Sequence, residues 1–250
     1  MKIISFNLRY TDDPNGHSIH ERAPRVLDIL KDYQPDLIGF QEVTPAWMEE
    51  LAVLDDRFGH LLTYRYPTNL EGTPIFWRKD LFELVESQSF WLSETPAVPS
   101  RGWDADLPRI CCYTALKNQK TGKLFHYFNT HFDGPEWCQR ESAQTIIRRA
   151  QTLGNEAQIA CTGDFNFYPD SKGYYAMRSF FEDVRAKIAP DNMQQTTNDY
   201  SLKLCPNRII DFCFYAGKGI TPVHYEVITR TYDGKFPSDH YGMFFEFELS

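Results

Sequence analysis

The most constraining feature of this sequence is a series of short apolar segments that each end in a polar side chain. The segment Glu156–Cys161 predicts a β-strand, because it is moderately apolar and because Gly163 and Pro169 predict a loop after it. Side chains two residues apart in an extended chain point to the same face, so we expect Asp164 and Asn166 to lie side by side. Other strand-like segments end at or near the following residues: Asn7, Glu42, Asn129, His131 and Asp211. Meeting at one end of a sheet, these side chains would form a polar site.

Strand-like and helix-like segments alternate along the whole chain. We expect helices at Glu21–Tyr33, Thr44–Asp55, Glu136–Gly154 and Lys172–Phe181. We expect further strands at Lys2–Leu8, Asp36–Val43, His60–Tyr64, Pro74–Arg78, Phe82–Trp91, Ile110–Lys117, Leu124–His131, Glu182–Arg185, Arg208–Tyr215, Val223–Thr229 and Tyr241–Leu249. No repeat and no change of composition divides the sequence. The pattern therefore predicts a single α/β domain over residues 1–250, with two facing sheets and outer helices.

Composition and charge narrow the class of protein. The net charge of −8 gives no long-range attraction for an anionic polymer, although a bound divalent cation or a local basic rim would change that balance. The chain begins directly in a strand and contains no apolar run of 18 residues, so we expect a cytoplasmic protein without a membrane span. Six cysteines show no CxxC spacing, which predicts reduced thiols and no zinc site. Nothing in the sequence indicates a protein partner.

Taken singly, the polar residues have ordinary explanations. Glu42 is explained as a solvated loop acid, His131 as a hydrogen-bonded core histidine, and Asp239 as a turn residue beside Ser238. Taken together, acids, amides and histidines at apolar strand ends are costly to bury unless something pairs them. Glu42 and Asp239, helped by Asn7, are the kind of oxygen ligands that Mg²⁺ prefers, with Mn²⁺ as the alternative ion.

The two histidines suit a different task. Mg²⁺ does not need nitrogen ligands, so His131 and His240 are better explained as partners of a phosphate oxygen. A histidine in that position is usually oriented by an acid at its other nitrogen, and we expect Asp211 to orient His240 and Glu71 to orient His131. The sequence has no Gly-x-Ser-x-Gly elbow, no Walker loop and no dinucleotide glycine fingerprint. Phosphate-ester chemistry is therefore favoured over acyl transfer.

The ordered motifs of the chain resemble those of the endonuclease/exonuclease/phosphatase (DNase I-like) superfamily. They are Ser5-Phe6-Asn7, Gln41-Glu42-Val43, Asn129-Thr130-His131, Gly163-Asp164-Phe165-Asn166, Ile210-Asp211-Phe212 and Ser238-Asp239-His240. The match extends from Asn7 to His240, and the compact length is similar to that of small bacterial members. The resemblance implies a four-layer α/β sandwich of two packed mixed β-sheets flanked by helices, with the site at one end.

The resemblance also implies roles for the matched residues. Glu42 would be the principal metal ligand, and Asn7 and Asp239 would complete or support that site. Asp164 would orient or deprotonate the attacking water. Asn166, together with Asn7, would hold phosphate oxygens.

Further roles concern the charge on the phosphate. His240 with Asp211, and His131 with Glu71, would stabilise the pentavalent phosphorus and its leaving oxygen. Arg109, in Leu-Pro-Arg-Ile, resembles an arginine that contacts phosphate in nuclease members, and an edge salt bridge explains it equally well.

Two segments depart from the pattern of the small bacterial relatives, namely Gly134–Trp137 and Thr196–Asn207. Both would lie at the rim of the site, where they would affect the choice of substrate more than the chemistry. Trp137, Phe132 and Trp103 are candidates to stack on a base or sugar there, and packing is the alternative explanation for each of them.

The function predicted is divalent-metal-dependent hydrolysis of phosphodiester bonds in a nuclease-like manner, by in-line attack of water activated by Asp164. The substrate would be nucleic acid or a small phosphorylated molecule. The alternative is a phosphomonoesterase that acts on a small phosphorylated metabolite or lipid headgroup. A non-catalytic binding module on the same scaffold would predict loss of Asp164, Glu42 or His240, and all three are present.

Overall fold

The structure is a computed structural model that describes residues 1–201, 203 and 208–250. The strands in these ranges are β1 (Lys2–Asn7), β2 (Leu37–Gln41), β3 (Phe58–Leu61), β4 (Tyr64–Tyr66), β5 (Asn69–Gly72), β6 (Ile75–Arg78), β7 (Phe82–Trp91), β8 (Ile110–Asn118), β9 (Leu124–His131), β10 (Gln158–Asp164), β11 (Glu182–Asp183), β12 (Asp211–Ala216), β13 (Ile220–Ile228) and β14 (Gly242–Leu249). The helices are α1 (Ile19–Tyr33), α2 (Pro45–Leu51), α3 (Glu136–Gln151), α4 (Lys172–Arg178) and α5 (Val184–Ile188), and a 3-10 turn, Ala52–Leu54, follows α2.

Two six-stranded mixed sheets form the centre of the structure. The first has the order β13-β14-β1-β2-β6-β3, and the second has the order β11-β12-β10-β9-β8-β7. Each sheet contains one parallel pair, β1 with β2 and β9 with β10, and its other pairs are antiparallel. The carboxyl ends of the parallel strands are therefore neighbours within each sheet, which brings Asn7 beside Gln41 and His131 beside Asp164 in register.

Helix packing on the outer faces completes four layers. Side chains of α1 and α2 such as Val26 and Trp47 pack on the first sheet, and side chains of α3 and α4 such as Ile146 and Met177 pack on the second. A third apolar cluster, which includes Leu37, lies between the two sheets. The expected sandwich of two packed mixed sheets flanked by helices is thus confirmed.

The helix starts follow the capping residues in the sequence. Ser18 and Glu21 form a capping box, so α1 begins two residues before the expected start. Thr44 caps α2 with Pro45 in its first turn, as expected. Helix α1 ends where Gln34 takes a left-handed conformation (φ 48°) before Pro35.

Several short elements were predicted incorrectly or missed. The expected strand His60–Tyr64 corresponds to the end of β3 and the first residue of β4, and the hairpin β4–β5 was missed. Only two residues of the expected strand Glu182–Arg185 are extended, because Asp183 caps α5 immediately afterwards. Helix α4 ends at Arg178 rather than at Phe181. Elements this short carry too few residues for a periodic pattern to distinguish helix from strand.

The end of the sandwich where β1, β9 and β10 begin contains an open cleft between the sheets. Its cavity volume is about 890 Å³, and its lining includes Met1 and Phe247 of the first sheet and Phe125 and Gln158 of the second. Five cysteines of the described ranges are free thiols, whereas Cys205 lies outside those ranges. Within the described part of the chain, no helix combines the length and apolar character needed to cross a membrane.

Candidate active site

The polar side chains at the carboxyl ends of β1 and β10 meet in the seam between the two sheets. The Nδ2 atom of Asn7 donates to Oδ2 of Asp164 at 3.0 Å and to Oε1 of Glu42 at 3.1 Å. Asn7 is 0% exposed and Asp164 is 2% exposed. One amide therefore joins carboxylates that come from different sheets.

The Glu42 side chain is held by the loop that follows β1. Its Oε2 atom accepts a hydrogen bond from the backbone N–H of Tyr10 at 2.8 Å. Glu42 itself has a φ of 60°, a conformation that non-glycine residues adopt rarely and that is concentrated at functional sites. The backbone at the end of β2 thus turns so that the carboxylate faces Asn7.

Asp239 reaches the same region from the loop before β14. The hydroxyl of Ser238 donates to the backbone carbonyl of Asn7 at 2.7 Å and lies 3.1 Å from Oδ1 of Asp239. Arg9 Nε lies 3.8 Å from Oδ2 of Asp239 and 3.2 Å from Oδ2 of Asp13. Although burial opposes its charge, the carboxylates of Asp13, Asp239 and Glu42 raise the pKa of Arg9 above its ordinary value. This edge of the site therefore attracts cations.

Two sets of side chains offer ligand atoms for a metal ion. Glu42 and Asp239 supply only oxygen and are half-buried, which suits a hard divalent ion with access to substrate and water. The Nδ2 atom of Asn7 faces the carboxylates while its Oδ1 accepts from Arg9 N at 3.0 Å, so Asn7 supports this set rather than joining it in the orientation seen. The second set is Asp164, Asp211 and His240, whose ligand atoms lie within 4.8 Å of one another. In that second set, Nδ1 of His240 is already paired with Asp211.

Asp164 is surrounded by polar groups. The backbone N–H of Asn166 donates to its Oδ1 at 3.0 Å, and Nε2 of His131 and Nε2 of His240 lie 3.5 and 3.7 Å from its Oδ2. Burial, and to a smaller extent the negative charge of Asp211, raise the pKa of Asp164 to about 7. The carboxyl group therefore exchanges a proton near neutral pH.

The expected pairing of His240 with Asp211 is present in the structure. Nδ1 of His240 lies 3.0 Å from Oδ2 of Asp211, and both residues are buried. Burial opposes the charged imidazolium, but the attraction of Asp211 and Asp164 prevails and raises the pKa of His240 well above its ordinary value. His240 is thus a buried cation that faces Asp164 with its second nitrogen.

The expected pairing of His131 with Glu71 is present only as a longer contact. Nδ1 of His131 lies 3.7 Å from Oε1 of Glu71, which exceeds hydrogen-bond length, and Nε2 lies 3.2 Å from Nδ2 of Asn166. The hydrogen bond of Glu71 goes instead to Arg65, which the sequence did not indicate. Burial, with Arg109 and Arg65 nearby, lowers the pKa of His131 well below its ordinary value, so this histidine is neutral.

Arg109 lies beside the Glu71 carboxylate that faces His131. Its Nη1 lies 3.9 Å from Oε1 of Glu71, and its Nη2 lies 3.6 Å from Oδ1 of Asp133. Its Nε and Nη1 atoms are nevertheless buried without a hydrogen-bond partner. The structure thus places Arg109 in a salt-bridge network and leaves donors on it for a further acceptor.

The geometry of the site can now be compared with known proteins. The sequence model of the "Endonuclease/Exonuclease/phosphatase family" matches residues 4–240 of this chain. The chain belongs to that family. An endonuclease/exonuclease/phosphatase family protein from Bacteroides thetaiotaomicron is 29% identical, with a TM-score of 0.92 over 100% of this chain and 98% of the other.

Two further solved structures differ in what their names state. A mannosyl-6-phosphatase from Bacteroides thetaiotaomicron is 29% identical, with a TM-score of 0.90 and 100% coverage of both chains. TDP2 of D. rerio, complexed with a single-strand DNA product, is 19% identical, with a TM-score of 0.82 over 100% of this chain and 99% of the other. The identity to TDP2 is so low that the likeness shows the fold alone.

The segment Thr196–Asn207, which departs from the pattern of the small bacterial relatives, was expected at the rim of the site. The first residues of the segment Thr196–Asn207, 196–198, are buried together with the preceding residue, Gln195, and do not lie at the rim. The Thr196 hydroxyl accepts from the backbone N–H groups of Ile210 and Asp211 at 3.1 and 3.2 Å, and Asn198 N donates to the Asp239 carbonyl at 2.6 Å. The segment therefore braces the acids of the site, while Leu202 and residues 204–207 lie outside the described ranges.

The aromatic candidates for the rim of this family member differ in exposure. Phe132 is fully buried against Phe165 and Phe167, so packing, the alternative explanation, accounts for it. Trp103 is half-buried, whereas Trp137 in the first turn of α3 is 56% exposed. Trp137 is the candidate that packing does not explain.

The side chain of Asn129 connects the two sheets and does not take part in the polar cluster of the site. Its Nδ2 donates across the seam to the carbonyls of Phe40, Thr73 and Pro74, and its Oδ1 accepts from Gln41 Nε2 at 2.8 Å. Gly39 makes this approach feasible, because a Cβ there would lie only 2.5 Å from Oδ1 of Asn129. Asn129 therefore fastens the two sheets together beneath the site.

Proposed function

We propose that this protein is a divalent-metal-dependent phosphoester hydrolase whose substrates are monoesters of small phosphorylated metabolites. The observation that carries the reaction is the position of Asp164, a buried carboxylate that Asn7 holds across the sheet seam and that two histidines face. The full-length similarity to a mannosyl-6-phosphatase and the net charge of −8 favour a small monoester.

Asp164 is the base of the proposed reaction. The N–H of Asn166 fixes Oδ1 and the amide of Asn7 fixes Oδ2, and the second lone pair of Oδ2 accepts the proton of water. The water oxygen attacks phosphorus in line, a new P–O bond forms, and the bond to the leaving oxygen breaks. The leaving oxygen takes up a proton from solvent and departs as the alcohol, and Asp164 returns its proton to solvent, so that one water is consumed for each phosphate released. His240, held by Asp211, donates a hydrogen bond to an oxygen of the reacting phosphate.

Arg109 is the group proposed to hold the phosphate. Its Nε and Nη1 atoms are buried without hydrogen-bond partners. The side-chain N–H groups of Asn7 already bond Glu42 and Asp164. Those of Asn166 already bond His131 and the carbonyl of Phe132, so these amides orient the site instead of holding phosphate oxygens as expected. His131 is neutral and next to Asn166, so it serves as a hydrogen-bonding group rather than as a charge. Arg109 and the charged His240 compensate the negative charge that concentrates on the phosphate oxygens.

Glu42 and Asp239 would hold the divalent ion, and Asn7 would keep the Glu42 carboxylate in place. When bound, the ion supplies electrostatic neutralisation of the phosphate and of the leaving oxygen. Asp13, which pairs with Arg9, keeps that guanidinium beside the same carboxylates.

Hydrolysis of phosphodiesters in a nuclease-like manner is the second candidate. It is favoured by Arg109, which stands in a Leu-Pro-Arg-Ile motif that resembles the phosphate-contacting arginine of nuclease members. A monoester carries one more negative charge on its phosphate than a diester does. The two candidates therefore differ in how much positive charge the site must supply.

A substrate panel tests the proposal. It holds hexose and inositol phosphates, glycerol 2-phosphate, p-nitrophenyl phosphate, bis(p-nitrophenyl) phosphate, single- and double-stranded DNA, and RNA, each with and without Mg²⁺ or Mn²⁺. We expect metal-dependent release of phosphate from monoesters that is lost in Asp164→Asn. The matched control is Asp183→Asn, which removes a buried carboxylate bonded to Tyr174 at 2.9 Å in another part of the fold. Cleavage confined to diesters or polymers would replace this proposal with the second candidate, and the absence of any turnover would reject both.

A further inference from the structure

The hairpin β4–β5 carries an arginine–glutamate pair behind His131. Arg65 on β4 donates from Nη2 to Oε2 of Glu71 on β5, and both side chains are about 95% buried. A buried guanidinium is costly unless a carboxylate and further hydrogen bonds compensate it. A pair placed this close to a reaction centre therefore calls for an explanation beyond packing.

The pair leaves the second oxygen of Glu71 facing the site. Oε1 of Glu71 lies 3.7 Å from Nδ1 of His131 and 3.9 Å from Nη1 of Arg109. Nδ1 of His131, Nη1 of Arg109 and Nε of Arg65 are all buried without a hydrogen-bond partner. Unsatisfied donors of this kind are rare in folded proteins, and here they gather around one carboxylate.

The hairpin is fixed to both sheets. Val43, which follows Glu42, exchanges two backbone hydrogen bonds with Gly72, at 3.1 and 2.8 Å. The indole N–H of Trp91, at the end of β7, donates to the carbonyl of Arg65 at 2.7 Å. Gly72 lies so close to the start of the hairpin that a Cβ on it would be 2.7 Å from the carbonyl oxygen of Thr63. Arg65 and Glu71 are therefore held at a fixed place relative to Glu42.

We infer that Arg65 is a positioning residue for His131 and acts through Glu71. By holding Oε2, the guanidinium turns Oε1 towards Nδ1 of His131. Nε2 of His131 faces the side-chain amide of Asn166, which selects the tautomer that carries its proton on Nδ1. The Nδ1–H then points at Glu71, and Nε2 is left as the lone-pair nitrogen. Contacts of this kind are often long without substrate and shorten when it binds.

Two experiments test this inference. The first measures kinetics and rests on the proposed hydrolysis, whereas the second measures histidine spectra and does not. Arg65→Met and Glu71→Gln, singly and together, form a double-mutant cycle. We expect each single variant to lower kcat about 10- to 100-fold with KM within about threefold, as for residues that orient a functional histidine. The double variant should be little worse than either single one, because Arg65 acts through Glu71. Arg65→Lys should restore part of the loss.

A matched control separates positioning from stability. Arg185 is also buried, lies 3.7 Å from the carboxylate of Asp183, and has an unpartnered Nε, but it belongs to α5. Arg185→Met should lower the melting temperature as Arg65→Met does and leave kcat unchanged.

The second readout is the ¹⁵N spectrum of the histidine side chains, with His131 assigned from a His131→Gln variant. In the parent protein we expect the signals of a neutral Nδ1–H tautomer, and in Arg65→Met and Glu71→Gln a shift towards a mixture of tautomers. An unchanged His131 spectrum in both variants, or additive losses of kcat in the cycle, would overturn the inference. If the parent protein hydrolyses no phosphate ester, the proposed function fails, and the spectra still decide the role of Arg65. If Arg65→Met does not fold, Arg65→Gln takes its place in the cycle and in the spectra.

Discussion

Nδ2 of Asn7 lies 3.0 Å from Oδ2 of Asp164, although the two residues end strands of different sheets. The proposed base is therefore aligned by a contact that exists only when the sheets are packed in their proper relation. We expect Asn7→Ala to lower kcat at least 100-fold, since misplacement of a catalytic group is expensive, while the free energy of unfolding falls by only about 1–3 kcal/mol. Steady-state kinetics and urea unfolding check both values. Wild-type kcat in this variant would contradict the role of Asn7.

Metal dependence is expected to follow Glu42. Replacing Glu42 by Gln keeps the size of the side chain and removes its charge, so the Mg²⁺ concentration needed for half-maximal activity should rise at least 10-fold. Chelation with EDTA should abolish the activity of the parent protein. Glu49→Gln, on the exposed face of α2, is the control and should leave the metal titration unchanged.

Thr196 is expected to be necessary for the geometry of Asp211. Thr196→Val preserves the shape of the side chain but leaves the buried N–H groups of Ile210 and Asp211 without their acceptor. We expect the free energy of unfolding to fall by about 2–4 kcal/mol and kcat to fall with it. Thr196→Ser, which keeps the hydroxyl, should retain most of both. Equal behaviour of the two variants in denaturation and kinetics would show that the hydroxyl is not needed.

Glu71 is expected to make stability depend on pH. Burial outweighs the attraction of Arg65 and raises the pKa of Glu71 from 4.5 to about 7. Between these values the folded protein holds a proton that the unfolded chain releases, so stability is highest at low pH and falls as the pH rises. The loss is about 3 kcal/mol once the pH exceeds 7. Chemical denaturation at pH 5 and pH 8 should show this fall in the parent protein, and Glu71→Gln should lack it. Parallel curves for the two proteins would place the pKa of Glu71 near its ordinary value.

Trp137 is expected to contact the organic part of the substrate. It lines a cavity of about 260 Å³ together with Glu136, Arg140 and Lys172, and Gln139 in the same helix donates to the carbonyl of Asn166 at 2.8 Å. If its indole stacks on a sugar ring, Trp137→Ala should raise KM for a hexose phosphate about 3- to 10-fold and leave that for glycerol 2-phosphate unchanged. Val85→Ala, which truncates a side chain of similar exposure on β7, is the control. Equal effects on both substrates would assign Trp137 to structure.

The sandwich could be predicted because its long elements carry clear periodic patterns. Strand β14 alternates Phe245 and Phe247 with Glu246 and Glu248, and α1 begins at a capping box. The hairpin β4–β5 could not be predicted in this way, since its strands are held by contacts with Val43 and Trp91 rather than by their own pattern. The turn-forming residues Pro67-Thr68-Asn69, which lead from β4 into β5, were the local signal that could have found it.

Much of the candidate site could be predicted because strand ends place polar residues at known positions. The pairing of His240 with Asp211 follows from that logic. The parts that could not be predicted depend on contacts between distant segments. Thr196 reaches Asp211 from an irregular segment, and Arg65 reaches the second oxygen of Glu71 from a hairpin that shows no periodic pattern.

The polar contacts of Asn129 and Asn7 lie at one end of the sandwich, and the cleft lined by Met1 and Phe125 lies at the other. Directional hydrogen bonds tolerate little sliding of one sheet over the other, whereas apolar contacts beside an open cleft tolerate more. As the protein is warmed, backbone amides near Asn7 and Asn129 should therefore keep slow hydrogen exchange longest, and amides beside the cleft should lose it first. The candidate site would thus be among the last regions to lose its alignment as the protein warms.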